Sequence, residues 1–251
     1  MLDAFPDPAW LAFVLIGALL AGFTTGFAGF GTGLVAAGFW FHALPAEMVP
    51  PMAALAAVVA QLVGLATVRR AFEWGRAAPF LLGGMLGVPV GVLALSLASP
   101  DTLRLSVGLF LAAYAGFQIL GFARLGIGDW GGRAADGTVG IAGGFLGGFA
   151  GLSGPLPLIW LQMRGGPSLR QRATYQPFNL IVLALASLGM TISGALDARV
   201  LAVAMLCLPV TLAGAWLGAR AYTGVSEATF RRVVLLLLLG SGTILVAQTI
   251  G

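Results

Sequence analysis

Long runs of apolar residues, separated by short polar stretches, dominate the chain. Six of these runs are 22 to 25 residues long, which is the length that one α-helix needs to cross a bilayer. They cover residues 47–68, 77–98, 101–122, 172–194, 199–222 and 226–250. The pattern predicts an all-α, polytopic membrane protein.

Two further runs, 9–44 and 137–163, are longer, and a cluster of glycines interrupts each of them. The clusters cover residues 26–33 and 147–155. Because glycine is a poor helix former and permits sharp changes of backbone direction, each run is expected to break at its cluster. A broken run then forms either a re-entrant hairpin or a pair of short crossings.

The composition agrees with a membrane protein and excludes most soluble classes. Hydrophobic residues make up 59% of the 251 residues and charged residues 9%, whereas soluble domains carry about 25% charged residues. All 13 basic residues are arginine, and they stand singly or in pairs between apolar runs, so no nucleic-acid partner is expected. The single cysteine, Cys207, excludes a disulfide framework.

The distribution of arginines predicts how the broken runs cross the membrane. If each broken run crosses once, six arginines face one side and seven the other. If each folds back, only Arg104 and Arg199 lie opposite the remaining eleven, which is a clear positive-inside pattern. The eleven are Arg69, Arg70, Arg76, Arg124, Arg133, Arg164, Arg170, Arg172, Arg220, Arg231 and Arg232. We therefore expect a multi-pass protein of the cell inner membrane with both termini on the periplasmic side.

The two glycine clusters are copies of each other at an offset of 122 residues. Residues 22–23 recur as 144–145, and residues 26–29 recur as 148–151. Three spans follow each copy, and because three is odd, the second copy is expected to lie upside down relative to the first. The predicted inverted repeats, each a broken segment plus three transmembrane helices, are residues 1–125 and 126–251.

The glycine motifs resemble those of the sulfite exporter TauE/SafE family of membrane permeases. They read Gly-x-x-Gly-x-Gly-x-Gly at 26–33 and Gly-x-x-Gly-x-Ser-Gly-Pro at 148–155. The resemblance implies transport of a small sulfur anion or organosulfonate, such as sulfite, sulfoacetate or thiosulfate. Thiosulfate-importing relatives use cysteine thiols along their path, and this chain has only Cys207, so export of sulfite or a sulfonate is favoured.

The helix breaks are where we expect the anion to bind. A helix that starts inside the bilayer has N–H groups without intrahelical partners, and its N-terminus carries about half a positive charge. An oxyanion matches both features. The Thr32 and Ser153 hydroxyls either contact the anion or cap their half-helices. The substrate-binding candidates at the breaks are Gly31, Thr32, Gly33, Ser153 and Gly154.

Polar side chains within the spans are the second group of candidates. Tyr175 and Asn179 share one helical face, and Gln176 pairs with Asn179 at a spacing of three residues. Gln61 is the one amide in the equivalent span of the first half. Each of these side chains serves either the substrate or a hydrogen bond between helices.

Other polar residues are expected to lie near the membrane surface. Gln118 and Gln162 are close to the ends of their segments, and Arg170 and Arg172 either set the topology or attract anions to the cytoplasmic mouth. The lone histidine, His42, follows two aromatic residues and is also expected at the surface. No acidic residue falls in the middle of a span, so a coupled proton would travel on the anion or on His42.

A secondary transporter that works by alternating access is the function that these features favour. The alternatives are an anion channel or an importer of another small sulfonate or carboxylate. An intramembrane enzyme is disfavoured, because the spans contain no nucleophile–base pair and no paired carboxylates. No cofactor or metal is expected. The lipid bilayer and the small anion are the expected partners, and the sequence does not decide whether the chain forms a homodimer.

Overall fold

The computed structural model describes residues 8–68, 73–122, 125–221 and 227–251, and within them the chain forms ten α-helices and no strand. The all-α prediction is confirmed. The helices are α1 (Pro8–Ala28), α2 (Thr32–Trp40), α3 (Val49–Val68), α4 (Trp74–Leu97), α5 (Pro100–Ile119), α6 (Gly132–Ala150), α7 (Pro155–Arg164), α8 (Ser168–Ile192), α9 (Ala198–Ala221) and α10 (Glu227–Ile250).

Seven helices in the described part of the chain are long and apolar enough to cross a membrane. Six of them (α3, α4, α5, α8, α9 and α10) match the six predicted spans, and α1 is the seventh. The prediction of a multi-pass membrane protein is confirmed. Helix α6 is not among them, because its 19 residues begin with a turn that carries Arg133 and Asp136. Three of the arginines used to predict the topology, Arg69, Arg70 and Arg124, lie outside the described residues.

The first broken run is a helical hairpin. Helix α1 ends at Gly29, whose φ of +83° turns the backbone, and α2 then runs back along α1. The Thr25 and Thr32 hydroxyls are hydrogen-bonded next to the tip, and the Trp40 indole N–H donates to the Val14 carbonyl 3.0 Å away. Because α2 has nine residues, it is about 13 Å long and too short to cross a hydrocarbon core of about 30 Å.

The second broken run repeats this arrangement. Helix α6 ends at Gly151, where φ is +73°, and α7 folds back along it. The Trp160 indole N–H donates to an Asp136 carboxylate oxygen at 2.7 Å, and Arg164 Nε lies 3.0 Å from the same oxygen. Both runs therefore form hairpins with one long and one short arm, and neither is a pair of short crossings of similar length.

The relative directions of α5 and α10 agree with two hairpins. Gly108 of α5 lies against Leu245 of α10, whereas Gln118 at the other end of α5 meets Arg231. The two helices are thus antiparallel. Between α5 and α10 lie the second broken run, α8 and α9. If the broken run crossed the membrane once, α5 and α10 would be parallel, so their antiparallel directions fit a run that folds back and leaves on the side where it entered.

Glycines within the long helices hold each hairpin against a helix from the other half of the sequence. A Cβ built on Gly26 of α1 would stand 1.9 Å from the Ala215 carbonyl oxygen of α9. A Cβ on Gly87 of α4 would stand 2.1 Å from the Ile141 carbonyl oxygen of α6. Such backbone contact needs small residues at every fourth position, which is how helices associate closely in membranes. The long arm of each hairpin is therefore fixed, and the tips are positioned by it.

Candidate functional site

The tips of the two hairpins meet in the interior of the helix bundle. A Cβ built on Gly33, in the first turn of α2, would stand 2.5 Å from the carbonyl oxygen of Gly151 at the second tip. The second tip also contacts α3, because a Cβ on Gly151 would stand 2.7 Å from the Pro50 carbonyl oxygen. The two breaks, which are about 120 residues apart in sequence, thus form one site.

A small cavity of about 30 Å³ lies between the two tips. Seven of the nine predicted substrate-binding residues line it, namely Gly31, Thr32, Gly33, Gln61, Ser153, Gly154 and Asn179. By the measure in which one water needs about 10–15 Å³, a cavity of about 30 Å³ has room for about two water molecules.

The first tip presents backbone donors to this cavity. The N–H groups of Gly33 and Leu34 belong to the first turn of α2, where no intrahelical carbonyl accepts from them. The Thr32 N–H differs, since it donates to the Thr25 hydroxyl at 3.0 Å. The Thr32 side chain does not cap its own helix, because the N-cap residue is Gly31. The start of α2 is therefore held by Thr25, and Gly33 and Leu34, whose N–H groups have no intrahelical acceptor, line the cavity.

The second tip presents side chains in place of backbone donors. Pro155 and Pro157 have no N–H group, so the first turn of α7 contributes little hydrogen bonding of its own. The Ser153 hydroxyl donates to the Asn179 side-chain oxygen at 3.0 Å, and both residues are buried. Ser153 therefore orients Asn179 of α8 and is not the side-chain cap of α7, whose N-cap residue is Gly154.

Tyr175 and Gln176 do not line the cavity but lie beside the first tip. The Gln176 amide nitrogen donates to the Gly29 carbonyl at 3.3 Å. A Cβ built on Gly29 would stand 3.0 Å from the Tyr175 hydroxyl and 3.3 Å from Arg172 Nε. Three polar groups from consecutive turns of α8 thus lie next to Gly29. Arg172, which the sequence analysis had placed only at the cytoplasmic mouth, therefore joins the candidate site residues.

Two buried amide oxygens close to this region accept no hydrogen bond within the described residues. They are Oε1 of Gln61 and Oε1 of Gln176. The two side chains approach Gly64, since a Cβ built there would stand 3.4 Å from the Gln61 oxygen and 3.2 Å from the Gln176 nitrogen. An unpartnered buried polar atom costs about 1–3 kcal/mol, so both oxygens are candidates for contact with a ligand or a water molecule.

A buried polar network behind the first tip was missed by sequence reasoning. Arg231 Nη2 donates to the Gln118 side-chain oxygen at 2.7 Å, and the Gln118 nitrogen donates to Gln162 at 3.2 Å and to the Tyr114 hydroxyl at 3.3 Å. Gln118 stands at the end of α5 but is buried, so it is not solvated, and Gln162, which is half-buried, bonds to it. The spacing of four residues between Tyr114 and Gln118, which places them on one helical face, is the sequence feature that could have indicated their hydrogen bond.

His42 lies away from the cavity, in the turn between α2 and α3. Its Nε2 is 2.9 Å from the Ser241 hydroxyl of α10, and its side chain is exposed. Partial burial lowers the pKa of His42 from its usual value, and a hydrogen bond with the Gln248 side chain opposes this effect. The expected surface position agrees with this placement, and His42 is not one of the residues that line the cavity.

Comparison with known proteins identifies related sequences over most of the chain. The family model described as "Sulfite exporter TauE/SafE" matches residues 14–245. A "Probable sulfite/organosulfonate exporter TauE" of Cupriavidus necator is 30% identical over 235 residues, covering 88% of each chain. No solved structure matches the chain with significant similarity.

Proposed function

Because the chain belongs to the sulfite exporter TauE/SafE family, we propose that it exports sulfite or an organosulfonate such as sulfoacetate from the cell. Family membership makes it a membrane transporter and not an enzyme. The observation that carries the proposal is the meeting of the two helix breaks around one cavity, with Thr32 and Ser153 on its wall. The choice between sulfite and a sulfonate rests on the named relative.

The chemistry of the cavity suits an oxyanion. The N-terminus of α2 directs the N–H groups of Gly33 and Leu34 at it, where the helix dipole favours negative charge. Gln61 and Asn179 add neutral amides, which bind an anion without holding it as strongly as a guanidinium would. Its lining includes no carboxylate, so the anion meets no like charge there.

Transport is proposed to proceed by alternating access between the two halves of the chain, residues 1–125 and 126–251. The hairpin of the first half packs on α9, and the hairpin of the second half packs on α4, the corresponding helix of the first half. This exchange supports two inverted repeats related by a pseudo-two-fold axis. The small cavity supports an occluded state, in which the tips separate on one side at a time to admit the anion.

We propose that the arginine-rich side faces the cytoplasm, with both termini outside, on the strength of the arginine distribution. Among the described residues, Arg76, Arg133, Arg164 and Arg170 line one cavity, in keeping with this orientation. Because His42 is not at the central cavity, any coupled proton is proposed to travel on the anion itself.

Transport by the purified protein in liposomes tests the proposal. Liposomes loaded with unlabelled sulfite or sulfoacetate are diluted into a trace of the labelled anion, and counterflow uptake is followed. We expect uptake with one of these anions, and loss of at least tenfold of that uptake with Asn179→Ala. Thr243→Ala, on the exposed surface of α10, is the matched control. No exchange of any sulfur oxyanion or sulfonate by a folded protein would refute the proposal.

The same assay separates an exporter from a channel or importer. An alternating-access carrier shows counterflow, in which internal substrate accelerates uptake of the external label, whereas a channel lets both pools equilibrate. Oriented vesicles then give the direction. Uptake of small carboxylates in preference to sulfonates would assign the chain to a different substrate class.

A further inference from the structure

We propose that a chamber at the arginine-rich end of the bundle binds the oxyanion before it reaches the cavity between the hairpin tips. This inference rests on the proposed function for the identity of the anion. The chamber has a volume of about 330 Å³ and lies between the starts of α4, α6 and α8 and the end of α7. Its charged residues are Arg76, Arg133, Arg164, Arg170, Asp129 and Asp136.

Arg164 forms the fixed wall of the chamber. Its side chain is 14% exposed, and its Nε lies 3.0 Å from an oxygen of Asp136, which is equally buried. Its Nη2 donates to the Gly132 carbonyl at 2.8 Å and to the Trp130 carbonyl at 3.2 Å. Its Nη1 also lies 3.3 Å from an Asp129 oxygen. These contacts tie the end of α7 to the start of α6, and Arg164 together with Asp136 and Asp129 adds no positive charge to the chamber.

The remaining arginines give the chamber its positive charge. Arg76 and Arg170 share one carboxylate, with Nε atoms 2.8 Å and 3.3 Å from the two oxygens of Glu73. Arg133 takes part in no ion pair with the described residues. The four arginines Arg76, Arg133, Arg164 and Arg170 therefore face three carboxylates, those of Glu73, Asp129 and Asp136, and one positive charge is left to meet an anion. Gln171 and Thr174 add neutral hydrogen-bonding groups to the wall.

Two aromatic rings separate the chamber from the central cavity. Phe80 lines the chamber, and its ring meets the ring of Phe178 edge to face, with centroids 6.4 Å apart. The Phe178 ring reaches the second tip, because a Cβ built on Gly143 would stand 3.0 Å from Phe178 Cζ and 2.9 Å from the Ser153 carbonyl oxygen. The chamber is therefore one ring pair away from the Ser153–Asn179 pair.

The ligand that this chamber fits is a small group with one or two negatively charged oxygens. Guanidinium groups bind such oxyanions in forked pairs of hydrogen bonds. A free sulfonate has this chemistry, and so does the phosphate of an anionic phospholipid, which binds basic pockets between transmembrane helices. The two sources are distinguished by the test below.

Reaction of an introduced cysteine with charged thiol reagents measures the potential of the chamber without any transport step. Gln171→Cys places a thiol on its wall, and the parent chain, whose Cys207 is buried, is the blank. We expect a negatively charged methanethiosulfonate to react faster than a positively charged one. Adding Arg133→Gln is expected to lower this preference several-fold at low salt, since losing one positive charge on the wall slows the negative reagent and speeds the positive one. Arg199→Gln, at an exposed position at the start of α9, is the control and is expected to change nothing.

Protection of the same thiol identifies the occupant. Sulfoacetate, which does not react with thiol reagents, is expected to slow labelling in neutral detergent, and Arg133→Gln is expected to weaken this protection. Protection by phosphatidylglycerol alone would overturn the proposal, as would an unchanged reagent preference in Arg133→Gln. If sulfoacetate protects the thiol but the liposomes exchange no sulfur anion, the proposed function fails while the anion-binding chamber stands.

Discussion

Gly33 of the first hairpin lies against the carbonyl oxygen of Gly151 at the second tip, and a Cβ on Gly33 would stand 2.5 Å from that oxygen. The first turn of α2 and the end of α6 are thus in backbone contact. Both glycines line the cavity of about 30 Å³ between the tips, so this contact forms part of its wall.

Gly33→Ala is expected to hold the tips apart and to impair both stability and transport. The Leu152 side chain, 3.1 Å from the added Cβ, can move aside, but the nearest neighbour is the Gly151 carbonyl oxygen, so the added methyl must displace backbone, at a cost of about 1–3 kcal/mol. We expect a lower unfolding temperature in detergent and a loss of counterflow. Gly38→Ala in the same helix is the control, since its Cβ would meet no atom closer than 3.5 Å. Equal behaviour of the two variants would contradict the contact.

Ser153→Ala and Asn179→Ala are expected to be non-additive. The Ser153 hydroxyl donates to Asn179, so either substitution alone removes the orientation of the amide along with the hydrogen bond. Each change in the half-saturating anion concentration is converted to a free energy. The sum of the two single effects is then expected to exceed the effect of the double variant by a coupling energy of about 1 kcal/mol. Titrating the initial counterflow rate in all four proteins measures this coupling, and additive effects would show that the two residues act separately.

Gln61→Leu is expected to abolish transport while leaving stability unchanged or higher. Leucine removes a buried amide oxygen that accepts no hydrogen bond within the described residues, and so it removes a cost of about 1–3 kcal/mol. Gln118→Leu is the matched comparison, because it takes away the acceptor of Arg231 and is expected to lower the unfolding temperature. A strong destabilisation by Gln61→Leu would instead indicate a structural role.

Gly26→Ala is expected to prevent the first hairpin from docking on α9. A Cβ at this position would stand 1.9 Å from the Ala215 carbonyl oxygen, so the two helices must separate, at a cost of about 3 kcal/mol. Gly116→Ala in α5 is the control, since no atom lies within 4 Å of its added Cβ. We expect a large fall in folded yield for the first variant only. A yield of Gly26→Ala equal to that of Gly116→Ala would refute the packing argument.

Acidification is expected to weaken the protein through His42. The pKa of His42 is lowered in the folded protein from the usual 6.5, so the unfolded chain binds more protons as the pH falls. The stabilisation from neutral His42 is complete above about pH 6.5 and is lost as the pH falls through the lowered pKa. The unfolding temperature between pH 7.5 and 5.5 is the measurement. His42→Gln does not titrate and is expected to show a smaller decline, and an equal decline would remove His42 as the cause.

Residue type and spacing predicted most of the residues that line the cavity, but they did not predict how the residues of α8 divide between the two tips. Tyr175 and Asn179 share a helical face, which led to one predicted site for both. Four residues correspond to about 6 Å along a helix axis. In the structure Tyr175 lies beside Gly29 at the first tip, whereas Asn179, about one turn further along α8, bonds to Ser153 at the second tip.

The sequence by itself determined the membrane class, the six regular spans and the two broken runs. These properties follow from apolar run length and local backbone preference, which need no distant partner. Only the tertiary structure decided that the two tips touch, that Gly26 and Gly87 serve helix packing, and that Gln118 binds Arg231 inside the bundle. These are contacts between residues far apart in the chain, and they depend on the directions and depths of the helices.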